Sequence, residues 1–152
     1  MSTEERRSRR GEAVSRLYRE GWGRGDFDVV FELLDPDIVW TAIEGAPDAG
    51  TYRGLESVRA YMQDWLEEFD FNAGEESQIE RSIEVAERLV CLQRVIGTGK
   101  RSGLRSEIRY ACVYTFGDDE RIVEVNEYAT LDEALEAASR RPRRSSSARV
   151  AR

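Results

Sequence analysis

The stretch GDFDVVFELLDPDIVWTAIEGAPDAGTYRGLESVRAY, residues 25–61, decides how the chain is read. Gly25 lets a preceding helix end in the left-handed conformation. Asp26 to Leu34 then places Phe27, Val30, Phe31 and Leu34 on one helical face. Pro36 has a fixed φ and no N–H, so it stops that helix and marks a turn. Ile38 to Ile43 carries the β-branched and aromatic content of a strand. A Gly/Pro loop and Tyr52-Arg53-Gly54 follow, and lead into another helix.

Upstream, a helix over Glu12 to Gly23 is expected from Val14, Leu17, Tyr18 and Trp22, which recur at spacings of three to four. Downstream, Leu55 to Phe69 turns Leu55, Val58, Met62, Trp65, Leu66 and Phe69 inward, with Tyr61 at the edge of that stripe. After Asn72 the period becomes two, which predicts strands over Gln78–Val85, Arg88–Thr98, Arg105–Phe116 and Arg121–Ala129. A short helix closes the chain around Glu133-Ala134-Leu135. In the third of these strands Ile108, Tyr110, Cys112, Tyr114 and Phe116 share the interior face. In the second, desolvating Arg94 costs more than desolvating Gln93, so Gln93 is placed inside. In the last, either Glu127 or the pair Glu124 and Asn126 faces inward.

At 152 residues the chain is expected to be one domain with a real core. Residues 1–10 read as a flexible lead, 11–138 as the domain and 139–152 as a disordered Arg/Ser-rich tail. No window suits a membrane-spanning helix and the charged N-terminus lacks a leader's apolar region, so a cytoplasmic protein without membrane contact is expected. The tail holds six arginines and no acid, and the first ten residues hold four arginines against two glutamates; removing these +6 and +2 from the net −7 leaves −15 for residues 11–138. So acidic a body disfavours nucleic acid as a partner. There is no histidine, and Cys91 and Cys112 lie in apolar runs without metal-ligand spacing, so no metal site, no His-dependent triad and no cofactor are expected. The two cysteines fall on paired strands and are expected to be buried free thiols.

Helices followed by a long antiparallel region predict an α+β fold: a curved antiparallel sheet wrapped around three N-terminal helices, forming a cone with an internal pocket. The chain resembles the SnoaL-like group of the nuclear transport factor 2-like superfamily, which also holds ketosteroid isomerases and limonene epoxide hydrolase. The resemblance covers about Glu12 to Ala138. It rests on Gly25-Asp26-Phe27-Asp28, on Leu34-Asp35-Pro36-Asp37-Ile38-Val39-Trp40, on Tyr52-Arg53-Gly54, on Val113-Tyr114-Thr115-Phe116, and on Arg121 to Tyr128 ahead of Glu133-Ala134-Leu135. The fold hosts several chemistries and plain binding modules, so the resemblance implies architecture more than activity.

Position by position, the resemblance puts Tyr18 where ketosteroid isomerases keep their oxyanion tyrosine. The isomerase base falls at Thr41 or Ala42, neither of which abstracts a proton at neutral pH. The second oxyanion group falls at Cys112, a weak donor. Of the epoxide hydrolase triad, the arginine and first aspartate fall at Gln93 and Val95, and the second aspartate at Glu127. The resemblance thereby turns Glu127 inward.

Glu127 and Tyr18 are the candidate catalytic residues, the first as general acid or base and the second as hydrogen-bond donor. The plain alternative for Glu127 is a structural partner for interior polar groups. Trp22, Trp40, Tyr61, Trp65, Gln93, Tyr110, Cys112 and Tyr114 are the candidate pocket lining. A small, apolar, oxygen-bearing ligand is expected, or, as an alternative, isomerase, cyclase or hydrolase action on a polyketide-, terpenoid- or steroid-like substrate. The outer sheet face bears Val90, Leu92, Ile96, Ala111, Val113 and Ile122, too apolar to leave in water, so a homodimer through that face is expected.

Overall fold

The computed structural model describes residues 2–43, 49–71 and 78–140. Helix α1 runs Thr3–Arg16 and opens on a capping box, in which the Ser2 hydroxyl accepts from the Glu5 N–H at 3.1 Å and the Glu5 carboxylate accepts from the Ser2 N–H at 3.0 Å. The helix therefore begins inside the stretch read as a flexible lead. Within that stretch Arg10 is buried and paired with Glu120. Its guanidinium donates twice to Glu120, at 2.8 and 3.0 Å, donates to the Glu87 carbonyl at 3.0 Å, and lies over the Phe116 ring. One side chain thus ties α1 to two strand turns.

The chain continues from α1 into a π-helical segment, Leu17–Trp22, which exits through Gly25 at φ 66°. Gly21 lets this segment close on the next helix: a Cβ there would stand 2.9 Å from the Val30 side chain. Helix α2 is Phe27–Leu33, capped by the Asp26 carboxylate on the Val29 N–H. The strand β1 begins at once, at Leu34, and runs to Thr41. Pro36 therefore sits in an irregular part of the strand, between paired Leu34 and Val39, and not in a separate turn. Next come β2 (Thr51–Arg53), α3 (Leu55–Glu68), β3 (Phe69–Asp70), β4 (Gln78–Val85), β5 (Arg88–Gly99), β6 (Arg105–Phe116), β7 (Ile122–Tyr128) and α4 (Leu131–Ser139).

The strands form one curved, unclosed sheet in the order β2-β1-β7-β6-β5-β3, with β4 also on β5. The fold is α+β as expected, but the sheet is mixed, because β1 lies parallel to β7. Its concave face holds the main core, where Val14, Leu17, Val30, Val58 and Met62 from the helices meet Ile38, Leu89, Cys91, Tyr114 and Val125 from the strands. Each such side chain, fully buried, contributes about 1.5–3 kcal/mol.

Helix α4 covers the convex face, packing Ala134 and Ala138 on Val90, Ala111 and Val113. The alternation along β7 puts Ile122 on that face, but it belongs to the main core. The register slips between Thr115, opposite Glu124, and Phe116, opposite Ile122, and this bulge moves Ile122 to the other side. Ile96 is also buried within the single chain. Leu92, on the same face, is half-buried. Among the described residues no helix is long and apolar enough to cross a membrane, and no cluster of metal-ligating side chains occurs.

Candidate functional site

A cavity of about 170 Å³ lies at the open end of the concave face. The π-helical segment supplies Tyr18 and Trp22, one turn apart, and α3 supplies Tyr61 and Trp65. From the sheet come Val95, Ile108, Tyr110 and Glu127, while Ile43 and Phe71 close the remaining wall. Ile108 is 53% exposed and marks the mouth. Trp22 meets Tyr61 at 88° with centroids 6.1 Å apart and meets Phe71 at 88° and 5.8 Å, so the rings form corners and leave faces and edges toward the space.

Among the described residues Glu127 is the one carboxylate of this lining. β7 is held between β6, where Cys112 stands opposite Glu127, and β1, where Thr41 stands opposite Asn126. Trp40, Tyr61 and the Ile43 backbone all donate to its carboxylate. Oε2 accepts from Trp40 Nε1 at 2.8 Å and from the Tyr61 hydroxyl at 3.1 Å, and Oε1 accepts from the Ile43 backbone N–H at 3.2 Å. Donors of this kind favour the charged form of a carboxylate and fix its position.

Tyr18 lines the cavity, but its hydroxyl donates to the Arg94 carbonyl at 2.8 Å. The proton that a ligand oxygen would need is thus engaged by the sheet backbone. Arg94 itself projects to the other side and forms a two-bond pair with Glu107, both bonds at 3.0 Å. Placing Gln93 inside is correct for the same strand.

Six of the candidate residues, Tyr18, Trp22, Tyr61, Trp65, Tyr110 and Glu127, come together around the cavity. Trp40, Gln93, Cys112 and Tyr114 do not line it and lie in the core layer below. Trp40 spends its indole N–H on Glu127. Gln93 is consumed by two tyrosines, its Oε1 accepting from Tyr114 at 2.6 Å and its Nε2 donating to the Tyr110 hydroxyl at 3.1 Å. Burial holds the ionisation of Tyr110, Tyr114 and Cys112 well above the usual range, so all three stay neutral. Cys112 and Cys91 stand directly opposite each other as free, buried thiols, and burial pushes Cys91 up to about 11.

Sequence reasoning missed Ile43, Phe71, Val95 and Ile108 as lining. Two of them were within reach of the period-two pattern: Val95 shares its face with Gln93, and Ile108 with Tyr110. Ile43 and Phe71 lie just beyond strand ends, where no periodicity reports direction.

Residues 14–125 match the model of the SnoaL-like domain. No curated protein matches the chain. Among solved structures, a protein from Jannaschia sp. CCS1 provisionally assigned as a SnoaL-like polyketide cyclase shares 22% identity over 89% of this chain and 94% of its own, with a TM-score of 0.68. A provisionally assigned isomerase from Bacillus subtilis gives 17% identity, 91% and 98% coverage and a TM-score of 0.70. A hypothetical protein with a ketosteroid isomerase-like fold from Catenulispora acidiphila DSM 44928, solved in complex with trimethylamine, gives 13% identity, 84% and 92% coverage and a TM-score of 0.64. At these identities the structures share the fold, and the family model spans most of the domain: the chain belongs to the SnoaL-like domain family.

Proposed function

We propose that the chain binds a small, mostly apolar, oxygen-bearing molecule in the aromatic cavity, with Glu127 as its principal polar contact. The observation that carries this reading is a space of about 170 Å³ bordered by rings, aliphatic side chains and, among the described residues, one fixed carboxylate. Apolar concavity with few, well-placed polar groups is the usual form of a small-molecule site. Size narrows the ligand further. An engineered protein cavity of about 150 Å³ takes up benzene. The matching ligand here is one substituted ring, and a steroid or fused polyketide would place only one ring inside. Trimethylamine, bound by the Catenulispora relative, sets a precedent for small ligands in this fold.

A second reading gives Glu127 a general acid or base role in isomerase, cyclase or hydrolase chemistry on a polyketide-, terpenoid- or steroid-like substrate. The convergence of the Trp40, Tyr61 and Ile43 donors supports it, since a proton-transfer group must be held in place. Two features weigh toward binding. The Tyr18 proton is engaged by Arg94, and the positions of the isomerase's other groups carry Thr41 and Cys112.

A thermal-shift panel of monocyclic ketones, phenols and alcohols tests the first reading. At least one member is expected to raise the melting temperature, and Ile108→Trp at the mouth is expected to cancel the rise. A panel without any stabilising member would overturn it. Turnover by the native chain that disappears in Glu127→Gln would establish the second reading.

A further inference from the structure

Resting on the reading of the cavity as a ligand site, we infer that its ligand carries an alkylated ammonium group, seated against the ring faces with Glu127 as counter-charge. The lining holds six aromatic side chains, three aliphatic ones and one carboxylate. Among the described residues no lysine or arginine takes part in it, and the chain has no histidine. The guanidinium on β5 that comes near in sequence, Arg94, is turned away toward Glu107.

The ring faces and the carboxylate that border this space are negative. Ring faces are negative ends of the aromatic quadrupole, and a cation within about 6 Å of a ring centroid is attracted to them. Trp22, Tyr61 and Phe71 stand nearly at right angles to one another in the pairs Trp22 with Tyr61 and Trp22 with Phe71, so a rounded group in the corner touches more than one ring. The charge of Glu127 is felt inside the cavity: after burial and Cys112, it is a further cause of the raised Tyr110 ionisation. The three donors on Glu127 described above, an indole, a phenol and a backbone amide, are neutral and stabilise that charge without cancelling it. At longer range the −15 carried by residues 11–138 draws cations toward the domain and repels anions.

Alkylation follows from the scarcity of acceptors. A primary ammonium would give up the hydration of three N–H groups for one carboxylate and phenol oxygens already hydrogen-bonded to the protein, whereas methyl groups spread the charge and suit rings and aliphatic side chains. A trialkylammonium head on a short chain has the compact, rounded form that a 170 Å³ space between rings accepts.

The test compares choline with 3,3-dimethylbutan-1-ol, its neutral counterpart with carbon in place of nitrogen, by isothermal titration of the full chain. Choline is expected to bind about tenfold more tightly. In Glu127→Gln that advantage is expected to shrink to about threefold or less. Because this variant also disturbs three hydrogen bonds, Trp22→Leu is its companion: it should weaken choline more than the alcohol. Equal or tighter binding of the alcohol overturns the inference and leaves the ligand-site reading standing. If neither compound binds at millimolar concentration the inference is also overturned, and the neutral monocyclic panel separately decides the ligand-site reading.

Discussion

The indole N–H of Trp40 donates to Glu127 at 2.8 Å, joining two residues on adjacent, parallel strands, β1 and β7. Trp40 is almost fully buried while Glu127 reaches the cavity wall, so the core holds the site's carboxylate from below. Trp40→Phe keeps an aromatic ring and deletes the N–H. Losing a hydrogen bond to a charged group and some ring volume should cost about 2–4 kcal/mol. A urea unfolding midpoint equal to that of the native chain would refute the coupling.

Glu127→Gln challenges the same arrangement from the other side. A carboxamide offers one acceptor oxygen, yet donors approach both oxygens of Glu127. Its NH₂ must face either the Ile43 N–H or the Trp40 and Tyr61 pair. A loss of about 1–3 kcal/mol is expected in the ligand-free protein, with circular dichroism unchanged. Full stability in this variant would mean that the donors do not depend on the second oxygen.

Much of this architecture is written in local patterns, and some of it is not. The apolar faces of α2 and α3 follow the helical period, and the inward face of β6, with Tyr110, Cys112 and Tyr114, follows the period of two. What escaped depends on distant partners. Nothing near Ile38 or Trp40 announces a parallel neighbour at Glu124 and Val125. Ile122 changes face through a one-residue bulge that the alternation of β7 conceals. The docking of α4 on Val90 and Val113 is a tertiary event, invisible in the short pattern around Ala134. Arg10 reads as surface because its partner, Glu120, lies in a turn at the far end of the chain. For the site, aromatic content nominated the right rings, but Trp40 and Gln93 could not be sorted from Trp22 and Tyr110, since all four are interior. Depth separates them, and depth comes from packing.

The Arg10 and Glu120 pair predicts an acid-dependent loss of stability. Hydrogen bonds from Arg10 hold the Glu120 carboxyl below the usual carboxylate range. A carboxylate depressed in the folded state adds stability above its unfolded pKa of about 4.3, and that stability disappears as the pH falls through the lower folded value. Arg10→Met should cost about 1–3 kcal/mol at pH 7. The gap between variant and native chain should narrow at about pH 3, leaving the part due to the Glu87 carbonyl and the Phe116 ring. A gap of the same size at both pH values would remove Glu120 from the explanation.

Cys91 and Cys112 face each other across β5 and β6 in the floor below the cavity, both buried and both free. With burial holding the Cys91 thiol at about 11 and the Cys112 thiol also raised, little thiolate exists at pH 8. Attack on a disulfide reagent needs the thiolate and needs access, and here both are withheld. Ellman's reagent should therefore release almost no colour from the native chain over minutes at pH 8. In guanidinium the two thiols should react at once. Rapid labelling of the native protein would show that the sheet between β5 and β6 opens at low cost, and that the layer supporting Glu127 is less firmly packed than its buried side chains imply.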